Sequence, residues 1–188
     1  MDALVPALVA ALCAGIGDRP AWLAAILGDR YRANAAMLAG LVLALGGAAA
    51  VAALSATLIL GVLSPNARLL MLALALLFAG VGCLMRTRTP DRLEGWRLGA
   101  FLTTSLGGFV LALGDRTAFL VFGLAAWGAS PWLAAAGAAV GGLVIAVLAA
   151  SLGEAVWRAL PLRALSAAAG IAFLVLGTIC ALSALRLL

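Results

Sequence analysis

Histidine is absent, charge is scarce and cysteine is confined to three isolated positions. Without histidine the usual zinc, copper and haem ligand sets are excluded or nearly so. The same absence, with so few polar groups inside apolar runs, argues against an enzyme, because no acid–base or nucleophilic set can be assembled. Cys13, Cys83 and Cys180 lie inside apolar segments without CxxC spacing, so they read as small buried hydrophobes rather than disulfides or thiolate ligands. Only 10% of the 188 residues are charged. A soluble domain of this size needs far more charge on its exterior.

What fills the chain instead is apolar: 66% of residues, with a mean hydropathy of +1.23. Apolar stretches of about 20 residues recur along its length, as expected of helices crossing a hydrocarbon core roughly 30 Å thick. The composition therefore predicts an all-α polytopic membrane protein whose main partner is the lipid bilayer. The net charge of +5 does not point to nucleic acid, because the arginines sit in short gaps between apolar runs. The N-terminal MDALVPALVAALCAG lacks a basic n-region and runs on through Gly17 and Asp18, so it is expected to be a retained first span.

Six spans are expected, at about 3–28, 34–60, 67–85, 98–125, 131–153 and 163–186, separated by turn or charge signals. The longest polar gap, 86–97, divides a first half (1–85) from a second (98–188). Arg30, Arg32, Arg86, Arg88, Arg92, Arg97, Arg158 and Arg163 fall in the odd-numbered gaps, against Arg68 and Arg186 on the other side. The positive-inside rule then makes the odd loops cytoplasmic and turns both termini outward, in what we expect to be a bacterial inner membrane. Superposed with a shift of 97 residues, Gly17-Asp18-Arg19 falls on Gly114-Asp115-Arg116, Gly40 on Gly137, Gly80 on Gly177 and Cys83 on Cys180. Each half holds three spans, an odd number, so the second copy must be inverted, a plan that puts binding sites near the midplane between repeats. Small residues recur every fourth position in the second span of each half, from Ala36 to Ala56 and from Ala134 to Ala150, which permits close helix contact.

The two Gly-Asp-Arg triplets are the costly feature. Asp18 and Asp115 each fall roughly 15 Å from the outer end of their span, near the bilayer centre. Four such charges cost on the order of 10–14 kcal/mol if nothing relieves them. Adjacent helical side chains do not face one another, so a crossed pairing is expected: Asp18 with Arg116, Asp115 with Arg19. Gly17 and Gly114 loosen the helix, and Pro20 cannot donate to the Ile16 carbonyl, which becomes available to a cation. Thr117 stands where Pro20 stands in the first copy and offers a hydroxyl. Thr103, Thr104 and Ser105 could extend a polar path towards the cytoplasm, whereas Glu154 reads as interfacial. Two uses of the charges stay open: a substrate or ion site, or a salt-bridged pin between the halves.

In layout and in these triplets the chain resembles the transmembrane-protein-165 or Gdt family of cation:proton exchangers, which carry a Glu-x-Gly-Asp-Lys/Arg-Thr/Ser motif in the first and fourth spans. The resemblance rests on Gly17, Asp18, Arg19 and on Gly114, Asp115, Arg116, Thr117. It implies transport of Mn²⁺ or Ca²⁺ against protons and no bound cofactor. Asp18 and Asp115 would be the metal ligands, Thr117 and the Ile16 carbonyl auxiliary ligands, and Arg19 and Arg116 charge partners or gates. The motif glutamates are replaced by Gly15 and Ala112, and the final hydroxyl of the first copy by Pro20. A hard divalent cation wants about six oxygen ligands, so weak or altered cation binding is expected. An exporter of a small anionic or zwitterionic solute and a non-transporting membrane scaffold are the alternatives.

Overall fold

The computed structural model describes residues 3–185, and helix is the regular structure found among them. Eight helices follow one another: α1 (Leu4–Gly15), α2 (Arg19–Tyr31), α3 (Ala35–Leu60), α4 (Pro65–Leu84), α5 (Gly99–Leu113), α6 (Arg116–Trp127), α7 (Pro131–Ala159) and α8 (Leu162–Ala184). Four of them are long and apolar enough to cross a membrane; the count rises to six if α1 with α2, and α5 with α6, are each taken as one span. Those two pairs are bent by 66° and 65°. The first and fourth expected spans are thus broken helices rather than loosened ones. Arg186, counted above with the outer side, lies outside the described residues.

Local chemistry sets most of the boundaries. Asn34 accepts the Met37 N–H at 2.9 Å and starts α3, and Ser64 accepts the Ala67 N–H to start α4, with Pro65 in its first turn. Between α3 and α4, Arg68 donates to the carbonyls of Leu60 (2.7 Å) and Leu63 (3.2 Å), capping the end of α3. The helix α7 kinks at Gly153 (φ 74°), and the carboxylate of Asp29 on α2 accepts the freed Glu154 N–H at 2.8 Å.

The packing exchanges partners between halves. The α1 helix lies along α7 and α5 along α3, while α4 and α8 pack together. Small residues make these approaches possible. A methyl at Gly137 would overlap the Leu4 carbonyl of α1, and one at Gly28 would overlap the Ala150 carbonyl of α7. The small-residue faces of α3 and α7 are buried at Gly40, Ala44, Ala48, Ala52, Ala134, Ala138 and Ala146. Large apolar side chains such as Leu58, Phe78, Val110, Ile171 and Val175 face outward instead, the inverse of a water-soluble exterior. The chain is an integral membrane protein. One difference between the helices that follow the two triplets matters below. The α6 helix packs on α4, but among the described residues α2 has no comparable seat on α8.

The polar segment 86–97 is not a free linker. Arg30 of α2 donates to the carbonyls of Leu93 (2.9 Å) and Trp96 (3.1 Å), and Arg92 pairs with Glu154 at 2.9 Å. Leu93, with φ 54°, turns its side chain into the groove between Gly107 of α5 and Leu23 of α2.

Candidate functional site

Both Gly-Asp-Arg triplets end one helix and start the next. Gly17 takes φ 72° after α1 and Asp18 turns extended, its Oδ1 accepting the Arg19 N–H at 3.0 Å as the N-cap of α2. Asp115 does the same for α6, its Oδ2 accepting the Thr117 N–H at 3.4 Å. A carboxylate at a helix N-terminus is stabilised by the unpaired N–H groups and the helix dipole. Pro20 does not itself open the helix: it sits in the first turn of α2, where its missing N–H has no intrahelical partner to lose. Asp followed by Arg-Pro after a glycine is a cap signature, and it was the sign by which the break could have been read from sequence.

The breaks bring both carboxylates to one internal cavity of about 50 Å³. Asp18, Asp115 and Thr117 supply its charged and hydroxyl groups; alanine, glycine and aliphatic side chains from α1, α2, α3, α5, α6 and α7 supply the rest. Such a volume admits about one cation with little of its hydration, or a few waters. Gly15 and Ala112 are in the same wall, so the motif glutamates would enter this cavity if they were present. Asp115 also borders two wider openings, one of about 340 Å³ against α3, and one of about 200 Å³ that Arg19, Arg86, Thr87 and Arg116 share with both aspartates.

The carboxylates differ in surroundings. Asp18 is only 3% exposed and both of its oxygens are engaged. Its Oδ2 accepts the Thr117 hydroxyl at 2.9 Å, and its Oδ1 faces Arg116 Nε at 3.6 Å as well as the Arg19 N–H. Asp115 is half-buried; its carboxylate accepts the Thr117 N–H and lies within hydrogen-bonding reach of the Asp18 carboxylate.

Of the crossed pairs, therefore, Asp18 with Arg116 forms and Asp115 with Arg19 does not. Arg19 is exposed at the mouth of the 200 Å³ opening. The reason lies on α4 and α8. Arg116 runs past Gly82, where a methyl would stand 3.1 Å from its Cδ, and donates Nη1 to the Gly82 carbonyl at 2.7 Å. Ninety-seven positions on from Gly82 is Ile179, whose bulk offers no matching seat, and α2 does not lie on α8. The Ile16 carbonyl, expected to be free for a cation, accepts Arg116 Nη2 at 3.4 Å, and Ala14 accepts the same nitrogen at 3.0 Å. Gly17 and Ile16 do not border the cavity; Gly114 borders the two openings.

The suggested polar path is not continuous with the site. Thr103 and Thr104 are fully buried, with hydroxyls that find no hydrogen-bond partner, and Ser105 donates to the Phe101 carbonyl. None of the three borders the cavity. Glu154 sits between Arg92 and Arg158, away from the aspartates. Among the described residues no three His, Cys, Asp or Glu side chains converge as a metal cluster.

Residues 100–187 match the family described as "Divalent cation/proton antiporter GDT1", which covers the second triplet with Thr117 and all of α6, α7 and α8. This supports the resemblance drawn from the triplets, and the family is one of transporters rather than enzymes. No curated protein and no solved structure matches the chain.

Proposed function

We propose that the chain is a secondary transporter, a divergent divalent-cation:proton exchanger carrying Mn²⁺ or Ca²⁺. At family level, divalent cation/proton exchange is supported by the match over residues 100–187. The observation that carries the reading to particular residues is the cavity bordered by Asp18, Asp115 and Thr117.

In this reading the halves 1–85 and 98–188 are inverted three-helix repeats joined by a cytoplasmic segment, 86–97, with both termini outside a bacterial inner membrane. The cavity then lies near the midplane. Broken spans at that depth are tolerated where they line a cavity, and they free carboxylate oxygens that continuous helix would turn to lipid. Asp18 and Asp115 are the carboxylates of the site and Thr117 its hydroxyl; Arg19 and Arg116 are charge partners or gates. Exchange follows if proton and cation compete for one carboxylate surface, so that neither leaves until the other can replace it. The unequal contacts, α6 on α4 but not α2 on α8, suit one of two states that such a pseudo-symmetric pair can adopt.

A second reading, export of a small anionic or zwitterionic solute, is favoured by the 200 Å³ opening, where three arginines stand beside the aspartates. One assay separates the two. In proteoliposomes loaded with a metal-sensitive dye, the exchanger predicts Mn²⁺ or Ca²⁺ uptake tied to a pH gradient and abolished by Asp115→Asn. Flux of an amino acid without metal flux selects the exporter. A folded protein with neither flux is a membrane scaffold.

A further inference from the structure

We propose that Arg116 sets the strength of cation binding: it is a tethered cation that already fills the carbonyl cradle at the first break and pairs with Asp18, leaving Asp115 to supply the charge that holds a passenger. The inference rests on the cavity being a cation site.

The geometry is that of a built seat. The Arg116 side chain is 9% exposed and three carbonyls converge on it: Gly82 at 2.7 Å, Ala14 at 3.0 Å and Ile16 at 3.4 Å. Those oxygens come from α4, α1 and the break, the kind of backbone set that would otherwise coordinate an ion. The glycine at position 82 is what lets the arginine stem through. Nε is directed at Asp18 Oδ1 from 3.6 Å, too long for a hydrogen bond, and finds no other acceptor. The attraction is therefore a charge pairing that a competing cation could replace.

Charge arithmetic gives the consequence. With both aspartates ionised, as a bound cation requires, Asp18 and Arg116 sum to zero and the cavity offers one net negative charge, that of Asp115. A divalent cation binding there leaves an uncompensated positive charge in a poorly hydrated site, which weakens its binding relative to a site holding two free carboxylates. Removing the guanidinium charge releases Asp18, which borders the cavity, to the passenger.

The test uses the full chain in lipid nanodiscs, titrated with Mn²⁺ and read by the loss of the free-ion electron paramagnetic resonance signal. Arg116→Gln should tighten Mn²⁺ binding by about tenfold or more, given the strength of charge interactions in a partly desolvated site. Arg116→Lys, which keeps the charge, should give no such gain. Adding Asp18→Asn to Arg116→Gln should remove it. Gly82→Val expels the stem without deleting the guanidinium, and should tighten binding if Arg116→Gln does not fold. Unchanged or weaker binding in a folded Arg116→Gln or Gly82→Val protein overturns the inference while leaving the cation site standing. No Mn²⁺ binding by either the wild type or the Arg116 variants overturns the cation reading and this inference with it.

Discussion

Replacing Gly28 by alanine tests whether α2, and with it Asp18, is held by close contact with α7. A methyl built at Gly28 would stand 2.8 Å from the Ala150 Cα and carbonyl carbon and would overlap the carbonyl oxygen. Carbon atoms rest about 3.5–4.0 Å apart, so the helices must separate by about 1 Å at this crossing. Overpacking of this kind costs about 1–3 kcal/mol. The obstruction is backbone, so no side chain can rotate away. Helix propensity opposes the cost, since alanine is better than glycine in a helix by about 0.8–1.0 kcal/mol. The net is a loss of up to about 2 kcal/mol, towards the upper end here because the obstruction is rigid backbone. Gly46, on α3, is the control: a methyl there meets nothing within 4 Å. Gly46→Ala should therefore gain the propensity term unopposed. Thermal unfolding of both variants in one detergent should move in opposite directions. A neutral Gly28→Ala, or shifts of the same sign, would refute the claim that this crossing sets the distance between α2 and α7.

Gly15→Glu returns a motif carboxylate to the cavity wall, and its first side-chain carbon meets only ordinary contact, Ile145 at 3.5 Å. Mn²⁺ affinity in nanodiscs should rise by about tenfold or more, as expected for a second free charge near a divalent ion. An unchanged affinity in folded protein would mean that position 15 does not serve the site. Arg30→Ala removes both hydrogen bonds that hold the Leu93 and Trp96 carbonyls, so segment 86–97 should be cut by trypsin at Arg86, Arg88, Arg92 or Arg97 several times faster than in the wild type. Equal rates would mean that Leu93 packing and the Arg92–Glu154 pair hold the segment without Arg30.

The apolar runs made the helices legible, because lipid-facing and buried positions are both hydrophobic and only the gaps carry turn residues. The 97-residue register drew attention to two aspartates, and the structure places both at one cavity. Two features were not legible. The breaks at Asp18 and Asp115 were read as bends within continuous helices because hydropathy runs straight through them. Glycine followed by an aspartate N-cap is a local signal that hydropathy averages away. The failed Asp115–Arg19 pair could not be seen from the triplets, which are alike. It turns on Gly82 against Ile179, two residues whose meaning depends on which helix lies beside them. Leu93 is similar: one apolar residue in a polar gap gives no sign that it fills the space above Gly107.

The charges themselves weigh between a pin and a site. Read on continuous helices, four of them at depth would cost about 10–14 kcal/mol. Broken helices change that sum, because each aspartate becomes a cap and Arg19 reaches the mouth of an opening. A pin would be complete with Asp18, Arg116 and Thr117, which already join α1, α2, α4 and α6. Asp115 adds a second carboxylate beside that finished pair, with oxygen capacity unspent and an empty space in front of it. A fold that needed only to lock its halves would do better with an apolar residue there, since a half-buried carboxylate with few partners costs stability and a filled cavity restores it. The excess of charge over what packing needs is the physical reason to expect a passenger.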